Sequence, residues 1–284
     1  MGKGIQVWTE PVIERRFAEG YGSGEGSNYI PWIGTHDVAS KGRTHRPWSP
    51  IYGRTFQLLS DVEWQTFLLL EHSRKFAELY EGYPLERKIT LEIAAALGIR
   101  HPHYPGTNVP TVMTVDFLAV DRRGTDARIA AFDSKRSEEM DGDSAEGSIA
   151  KLQITRAYFA GMNVPHHLVL HSQLNQRILE NIEWIRSGIA KKGEIEPYDG
   201  YFNEKVDQML YELMNGSHTC SLGEYCRAFD ERHGMQLGDA SRVARMLLWD
   251  RRLKCDLRNS KASSLPVNSF LVERDYASRR AVGQ

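Results

Sequence analysis

Two short apolar runs on either side of a polar loop form the clearest hydrophobic pattern in this sequence. Within Val112 to Lys135, the apolar runs are VMTVDFLAV and RIAAFDSK, and the polar loop between them is DRRGTDA. β-Branched and aromatic residues around a turn rich in Gly and Asp are typical of a β-hairpin. Each strand carries an acid where the alternation calls for an apolar residue, Asp116 in the first and Asp133 in the second. The two acids are equidistant from the loop centre, so symmetric pairing predicts that they face each other.

Helical and strand patterns continue along the rest of the N-terminal half. We predict helices over 60–80, 86–97 and 149–161, a short strand over 81–85 and a buried strand over 166–171. Residues 1–57 show little periodicity, and the segment from Gly20 to Asn28 is expected to be flexible. Residues 136–148 are polar and predict a loop.

The C-terminal third has a different pattern, which is mainly helical. It predicts helices over 174–191, 202–214, 222–233 and 240–249, then a small β-ribbon over 251–272. Three helices followed by a ribbon are typical of a winged helix-turn-helix. The recognition helix would be 240–249, with Ser241, Arg242 and Arg245 exposed. Basic residues continue into the ribbon and include Arg251, Arg252 and Lys254. They are compatible with docking of a protein, which is slightly favoured, or with contact to DNA.

Length and composition are those of an ordinary globular protein. The chain has 284 residues and a formal net charge of −1, which allows two domains. No apolar run approaches the length of a membrane span, and the N-terminus lacks the apolar core of a signal peptide. Three cysteines form no even framework of disulfides, so we predict a protein of the reducing cytoplasm that does not enter a membrane.

Basic and aromatic residues are crowded together in the N-terminal arm. Lys41, Arg43 and Arg46 lie close to Trp32 and Trp48 in the sequence. Such a basic, aromatic-studded segment is a candidate nucleic-acid contact. An irregular extension that packs its tryptophans on the domain explains the same pattern equally well.

Two carboxylates that face each other across a strand pair need a compensating charge. At about 5 Å, their repulsion is roughly 3 kcal/mol for an effective dielectric constant of about 20. A shared proton, a lysine or a divalent cation would offset it. Oxygen-rich sites suit Mg²⁺ or Mn²⁺, and Lys135 is predicted to share the face of Asp133. The alternative is a surface hairpin whose acids are solvated.

Glu63 has two competing interpretations. Ser60 and Glu63 fit the capping box at the start of a helix, which is a structural role. Glu63 also shares a stripe with Phe67 and Leu70, the apolar face that should turn inward. A carboxylate at the buried end of that stripe would favour a cation, so both interpretations stay open on this segment alone.

The order of these acids resembles a known class of nucleases. A helix Glu, a strand Asp and a following D-x-K resemble the PD-(D/E)xK, or restriction-endonuclease-like, nucleases. The flanking segments narrow the resemblance, in the order PWIGTHDVASKGR, LLSDVEWQTFLLLE, YPL, LGIRHP and VMTVDFL. Together they look like the TnsA family of transposon-end endonucleases, over about residues 30–170. Beyond residue 172 the resemblance rests mainly on domain order.

The resemblance implies specific roles for residues of this chain. By position, the family's catalytic set falls on Glu63, Asp116 and Lys135, with Asp133 at a polar position of the metal site. These carboxylates, helped by the backbone carbonyl of Ser134, would bind Mg²⁺, and Mn²⁺ would substitute. Lys135 would orient the attacking water or touch the scissile phosphate. Some family members have Gln in place of Asp133, so here the site should gain charge.

The resemblance also implies a two-domain α/β fold. Residues 1–171 would form a restriction-endonuclease-like domain, with a mixed central sheet flanked by helices and an N-terminal arm over 1–57. Residues 172–284 would form a mainly α winged helix-turn-helix domain that binds DNA or a protein partner.

The implied function is that of a Mg²⁺-dependent DNA endonuclease subunit of a heteromeric cut-and-paste transposase. It would cleave the 5′ strands at the ends of a Tn7-like transposon, for which a CRISPR-associated element is one option. Expected partners are transposon-end DNA, a TnsB-like DDE transposase and a TnsC-like AAA+ regulator. Two alternatives are a free-standing restriction or repair endonuclease of the same fold and a non-catalytic DNA- or protein-binding adaptor. The intact set of acids and lysine argues against the adaptor.

Overall fold

The chain divides into two compact units that differ in secondary structure. A computed structural model describes residues 7–37, 43–141, 145–189 and 194–273. The units are Met1–Leu174, which is mixed α/β, and Asn175–Gln284, which is mainly helical. Helices and a central mixed sheet agree with the predicted α/β class. The finer assignments, a restriction-endonuclease-like domain and a winged helix, stay predictions.

The N-terminal unit is built around a four-stranded sheet. Its helices and strands are α1 (Glu10–Ala18), β1 (Trp48–Ser49), β2 (Arg54–Thr55), α2 (Asp61–Ser73), β3 (Glu78–Pro84), α3 (Arg87–Leu97), β4 (Thr114–Asp121), β5 (Arg128–Lys135), α4 (Ala145–Gly161) and β6 (His166–Leu170). The strand order is β3-β4-β5-β6, and only the β5–β6 pair is parallel. Apolar side chains cover both faces of the sheet, which packs on α3 and α4 on one face and on α2 on the other.

The predicted hairpin is confirmed as β4 and β5. Phe117 pairs with Phe132 in the antiparallel register, so the next position toward the open end of the hairpin sets Asp116 opposite Asp133. The hairpin is held by its apolar residues, because Phe117 packs toward α2 and Leu118 packs toward α4. Alternation of the strand thus anchors the two acids at the end of a buried ladder.

Three boundaries in this unit differ from the predictions. The first helix ends at Ser73 rather than near residue 80, because Arg74 adopts a left-handed conformation with φ of 54°. Residues 78–84 then pair with β4, so the strand predicted at 81–85 begins three residues earlier. The loop predicted over 136–148 gives way to α4 at Ala145. The prediction that the strand over 166–171 is buried is wrong. β6 is an edge strand of the sheet, and its residues His167 and Leu168 are exposed.

The N-terminal arm contains structure that its weak periodicity did not predict. Helix α1 buries Ile13 in a cluster with Trp32 and other aromatic residues. The segment expected to be flexible forms a turn closed by an antiparallel bridge between Ser23 and Ile30. Gly22 within it has a φ of 75°, and a Cβ there would lie 2.4 Å from Cγ of Pro84. A glycine is required at that position because any side chain would collide with the end of β3.

The C-terminal unit has the predicted order of four helices and a ribbon. These elements are α5 (Gln176–Arg186), α6 (Tyr201–Asn215), α7 (Leu222–Arg232), α8 (Asp239–Trp249), β7 (Leu253–Lys254) and β8 (Leu271–Val272). Fully buried residues of α6, α7 and α8, such as Met209, Phe229 and Leu247, supply its core. The ribbon is antiparallel, and each strand is two residues long.

Two further features bear on the sequence predictions. Cys220, Cys226 and Cys255 are all free thiols, in agreement with the absence of a disulfide framework. Within the described ranges, no helix has the length and apolar character needed to cross a membrane.

Candidate active site

The carboxylates of Asp116 and Asp133 take over the hydrogen bonds where the β4–β5 ladder ends. The backbone N–H of Ser134 donates to Oδ2 of Asp116 at 2.7 Å. The backbone N–H of Asp116 in turn donates to Oδ1 of Asp133 at 3.3 Å. Aspartate side chains compete in this way with regular backbone pairing. The structure therefore brings the two acids together, each held by the backbone of the opposite strand.

Lys135 is tied to the same pair of strands. Its Nζ lies 3.8 Å from Oδ2 of Asp116 and donates to the carbonyl oxygen of Ser134 at 3.1 Å. The charge of Asp116, followed by that of Asp133, raises the pKa of Lys135 above its ordinary range. The ammonium group is therefore protonated throughout the physiological pH range. The Ser134 side chain points elsewhere, because its hydroxyl donates to Oγ1 of Thr66 on α2.

Glu63 caps α2, as the first of its two interpretations requires. Its backbone N–H donates to the Ser60 hydroxyl, while its carboxylate accepts from the Leu59 N–H at 2.8 Å and the Ser60 hydroxyl at 3.0 Å. Burial, and next the charge of Asp116, raise the pKa of Glu63 to about 8. Glu63 is therefore in electrostatic range of Asp116 while it keeps a local structural role.

Asp116 has surroundings that disfavour its ionised form. Burial raises the pKa of Asp116 to about 6, Lys135 opposes that rise, and Asp133 adds to it. Asp133 is only 4% exposed. A buried acid with a raised pKa gains stability from either a proton or a cation. The electrostatics of this cluster therefore favour binding of a positive ion.

The donor set fits a hard divalent cation. Two carboxylates and the Ser134 carbonyl supply oxygen ligands, which Mg²⁺ and Mn²⁺ prefer. In the part of the chain that the structure describes, no three His, Cys, Asp or Glu side chains form a group ready to hold a metal. The arrangement therefore suits an ion bound through few protein ligands and several waters, as is usual for Mg²⁺. Glu63 would have to leave part of its capping network to join.

Asp116, Asp133 and Lys135 open into a cleft of about 350 Å³. Helix α4 contributes Lys151 and Thr155 to the cleft, and Glu139 lines it from the preceding segment. Sequence reasoning did not single out these residues. The spacing of Lys151 and Thr155, one turn apart on a helix, is the only signal that could have paired them.

Sequence reasoning also missed His166, the first residue of β6. Its Nε2 lies 2.9 Å from Oδ2 of Asp133, and both side chains are 6% exposed. Because β6 is parallel to β5, Ala131 pairs with His166 and Leu168 pairs with Asp133. No sequence pattern gives the order of strands in a sheet, so this contact could not be predicted.

Different residues of the basic N-terminal arm agree with different interpretations, packing on the domain or contact with nucleic acid. Trp32 is fully buried, as expected for an arm that packs on the domain. Arg43 is exposed and lies 3.4 Å from Asp61 at the start of α2, and Arg46 is also exposed. Lys41 lies outside the described residues. Nucleic-acid contact by Arg43 and Arg46 stays a prediction.

The arginines of α8 do not lie open to solvent as predicted. Arg242 stacks on the ring of Phe202 at 4.2 Å and forms an ion pair with Glu194, in which Nη2 donates to Oε2 at 2.6 Å. Arg245 donates to the Ser187 hydroxyl at 2.6 Å. Burial, and next the charge of Arg242, lower the pKa of Arg245. Arg242 and Arg245 are therefore partly covered and not fully exposed as predicted, while their contact with DNA or a partner stays a prediction.

Arg242 and Arg245 are partly covered because the end of α5 packs on α8. A Cβ at Gly188 would lie 2.4 Å from Cβ of Arg245, so only glycine allows the two backbones to approach this closely. The end of α5 therefore covers part of the surface on which the sequence predicts DNA recognition.

The basic residues of the ribbon differ in their exposure and in their contacts. Arg252 is 8% exposed and donates to Asp207 at 3.1 Å, so little of its side chain is open, and its contact with DNA or a partner stays a prediction. Lys254 is exposed and forms an ion pair with Glu273. Arg251 adopts a left-handed conformation with φ of 62°. Contact with DNA or a partner stays a prediction for Arg251 and Lys254.

Two comparisons relate this chain to known proteins. A family model described as "TnsA endonuclease C terminal" matches residues 173–257. The chain is also 29% identical, over 266 residues, to the transposon Tn7 transposition protein TnsA of Escherichia coli. That alignment covers 92% of this chain and 91% of the relative. The similarity thus includes both the unit that holds the acids and the helical unit.

Proposed function

The chain belongs to the TnsA family, and from that premise we propose that it is the DNA-cleaving subunit of a transposase. The proposed reaction is Mg²⁺-dependent hydrolysis of the 5′ strands at the ends of a Tn7-like transposon. The E. coli relative is by its name a Tn7 transposition protein, and the matching family model describes an endonuclease. Both descriptions support an endonuclease subunit rather than an adaptor.

The placement of Asp116, Asp133 and Lys135 in one cleft carries the proposal. Two acids and a lysine that served only stability would be expected to neutralise one another. Here burial still raises the pKa of Asp116 although Lys135 is its neighbour. Strongly perturbed acids in a cleft are typical of functional sites.

Lys135 would act as a fixed positive charge. Since Asp116 and Asp133 raise its pKa, the amine does not lose its proton near neutral pH and cannot serve as a general base. Its ammonium group can bind a non-bridging oxygen of the scissile phosphate and stabilise the charge that develops there. Its hydrogen bond to the Ser134 carbonyl holds the side chain at the cleft before DNA arrives.

Asp116, Asp133 and the Ser134 carbonyl would hold the metal, joined by Glu63. Bound Mg²⁺ would stabilise charge on the phosphoryl oxygens and lower the pKa of an attacking water. The chain's own residues supply the negative charge and the orientation. The backbone hydrogen bonds to Asp116 and Asp133 fix the direction of both carboxylates.

The assembly proposed for this subunit contains two further proteins. A TnsB-like DDE transposase would process the 3′ ends, and a TnsC-like AAA+ regulator would recruit the complex. The C-terminal unit is the candidate dock, because the arginines of α8 are engaged within the unit itself. That engagement favours protein contact over DNA recognition by α8.

A cleavage assay on transposon-end DNA, with the partner proteins of the same element, tests the proposal. Asp116→Asn keeps an oxygen that can accept from the Ser134 N–H but removes the charge. We expect its cleavage rate to fall by at least about 100-fold, the scale of one lost electrostatic stabiliser.

The matched control is Asp121→Asn, at the other end of the same strand, where the acid pairs with Arg123 instead of lining the cleft. Its cleavage rate should stay close to that of the wild type. Equal rates for wild type and Asp116→Asn would refute the proposed active site.

A further inference from the structure

We propose that His166 is a positioning residue for the metal site, which it serves by fixing the carboxylate of Asp133. This inference rests on the proposed metal-dependent function and adds a residue on a neighbouring strand. His166 does not line the cleft, so it would not touch the DNA or the metal. Its effect would pass through Asp133.

Both oxygens of Asp133 are held from different directions. Oδ2 faces Nε2 of His166 at 2.9 Å, and Oδ1 accepts from the backbone N–H of Asp116 at 3.3 Å. An ionised carboxylate has no proton to donate, so the hydrogen of the first contact must come from the histidine ring. One bond on each oxygen sets the plane of the carboxylate and leaves further lone pairs for a cation.

His166 is itself held firmly in place. Its ring stacks on Phe159 of α4, with 5.8 Å between centroids and 19° between planes. The parallel pairing of Ala131 with His166 places its side chain on the same face of the sheet as Asp133. With 6% of its side chain exposed, the ring has little freedom to move. A rigid donor of this kind can fix the direction of the acid it contacts.

Metal sites depend on such outer contacts. Carboxylates that bind metals are themselves hydrogen-bonded, and loss of an outer partner typically weakens metal affinity about 10- to 100-fold. Without His166, only the longer bond from the Asp116 N–H would hold the buried carboxylate of Asp133. We therefore expect His166 to contribute to metal affinity on that scale.

Four variants of the full-length protein separate positioning from packing. His166→Leu removes the donor, and His166→Asn keeps polarity but is too short to reach Asp133. His166→Gln restores an N–H donor at about the distance of Nε2. The matched control is His167→Leu, because His167 follows in the same strand but stacks on Phe132 instead.

Titration calorimetry with Mn²⁺, without DNA, gives the affinity of each variant. We expect Leu and Asn at position 166 to weaken binding by about 10- to 100-fold, and Gln and the His167 control to stay within about threefold of the wild type. Cleavage by His166→Asn should recover as Mn²⁺ is raised, since the defect lies in binding the ion. Should His166→Leu fail to fold, the comparison of Asn with Gln gives the answer.

Two results would count against the inference in different ways. If the wild type binds Mn²⁺ and every His166 variant binds equally well, His166 has no positioning role and the proposed function stands. If the wild type binds no Mn²⁺, the metal-dependent function fails and the inference fails with it.

Discussion

Two groups of charged side chains, one in each unit, are compensated to different degrees. In the N-terminal unit, Asp116 and Glu63 have surroundings that raise their pKa values and leave a need for positive charge. In the C-terminal unit, Arg242 pairs with Glu194 and Arg252 donates to Asp207, so these cations are engaged by the fold itself. Buried charge thus lacks full compensation at the cleft, whereas it is compensated around α8 and the ribbon.

The comparison shows why charge in a sequence is a weak guide to function. Arg242 and Arg245 have the helical spacing expected of a recognition surface, yet they hold α5 against α8. Asp116 and Asp133 interrupt apolar strands, which is costly for stability alone. A charge that the fold leaves poorly compensated is the better indicator of a reactive site.

The largest effect is expected for Glu63→Gln, because Glu63 combines capping contacts with a raised pKa. The amide keeps an acceptor for the Leu59 N–H but removes the charge near Asp116. We expect cleavage of end-containing DNA to fall by at least about 100-fold, with no loss of melting temperature. Near-normal cleavage would mean that Glu63 only caps α2.

The next effect concerns stability in the C-terminal unit. Arg242→Ala removes an ion pair and a stacking contact, so we expect a loss of about 1–3 kcal/mol in the free energy of unfolding. Urea unfolding of the full chain measures it, with the exposed Arg227→Ala on α7 as the control. Unchanged stability together with weaker, less salt-dependent DNA binding would restore α8 as a recognition helix.

A pH titration of the metal-free protein should show the uncompensated charge directly. A raised pKa in the folded state means that the stabilisation from the proton on Glu63 is present at low pH. It is lost as the pH rises from about 4.5 through about 8. We expect the melting temperature of the wild type to fall across this range more steeply than that of Glu63→Gln.

Other groups that titrate in the same pH range contribute to the melting temperatures of both proteins, so their contribution cancels when the wild type is compared with Glu63→Gln. His101 is one of them, because burial lowers its pKa and so it acts with the opposite sign. Parallel curves for the two proteins would show that Glu63 is not the buried acid described above.

The smallest effect is expected at the ribbon. If Lys254 contacts a DNA phosphate, Lys254→Ala should reduce the slope of log affinity against log salt by about 0.9. Filter binding at several salt concentrations measures that slope, again beside Arg227→Ala. An unchanged slope with weaker binding to the TnsC-like partner would make the ribbon a protein dock.

Much of the N-terminal fold could be predicted from local patterns. The hairpin followed from alternation around Gly124, and α3 ends at Leu97, just before the left-handed Gly98, as its pattern indicated. Symmetry of the hairpin also placed Asp116 opposite Asp133, which the register reproduces. These features depend on residues close together in the sequence.

The remaining features depend on contacts between distant segments. His166 contacts Asp133 only because β6 pairs with β5 in the sheet. Arg245 is partly buried only because the end of α5 packs against it. The end of α2 at Ser73 rests on the left-handed conformation of Arg74, for which the residue type gives no signal. Neither strand order nor helix packing follows from periodicity.

Thermal stabilisation by Mg²⁺ tests most directly whether Asp116 and Asp133 form a cation site. An ion that binds only the folded protein raises its stability by about 2.7 kcal/mol at 100 times its dissociation constant. We predict that the melting temperature of the wild type and of Asp121→Asn rises with Mg²⁺ concentration, while that of Asp116→Asn stays flat. Equal rises in all three proteins, or no rise in the wild type, would contradict the site.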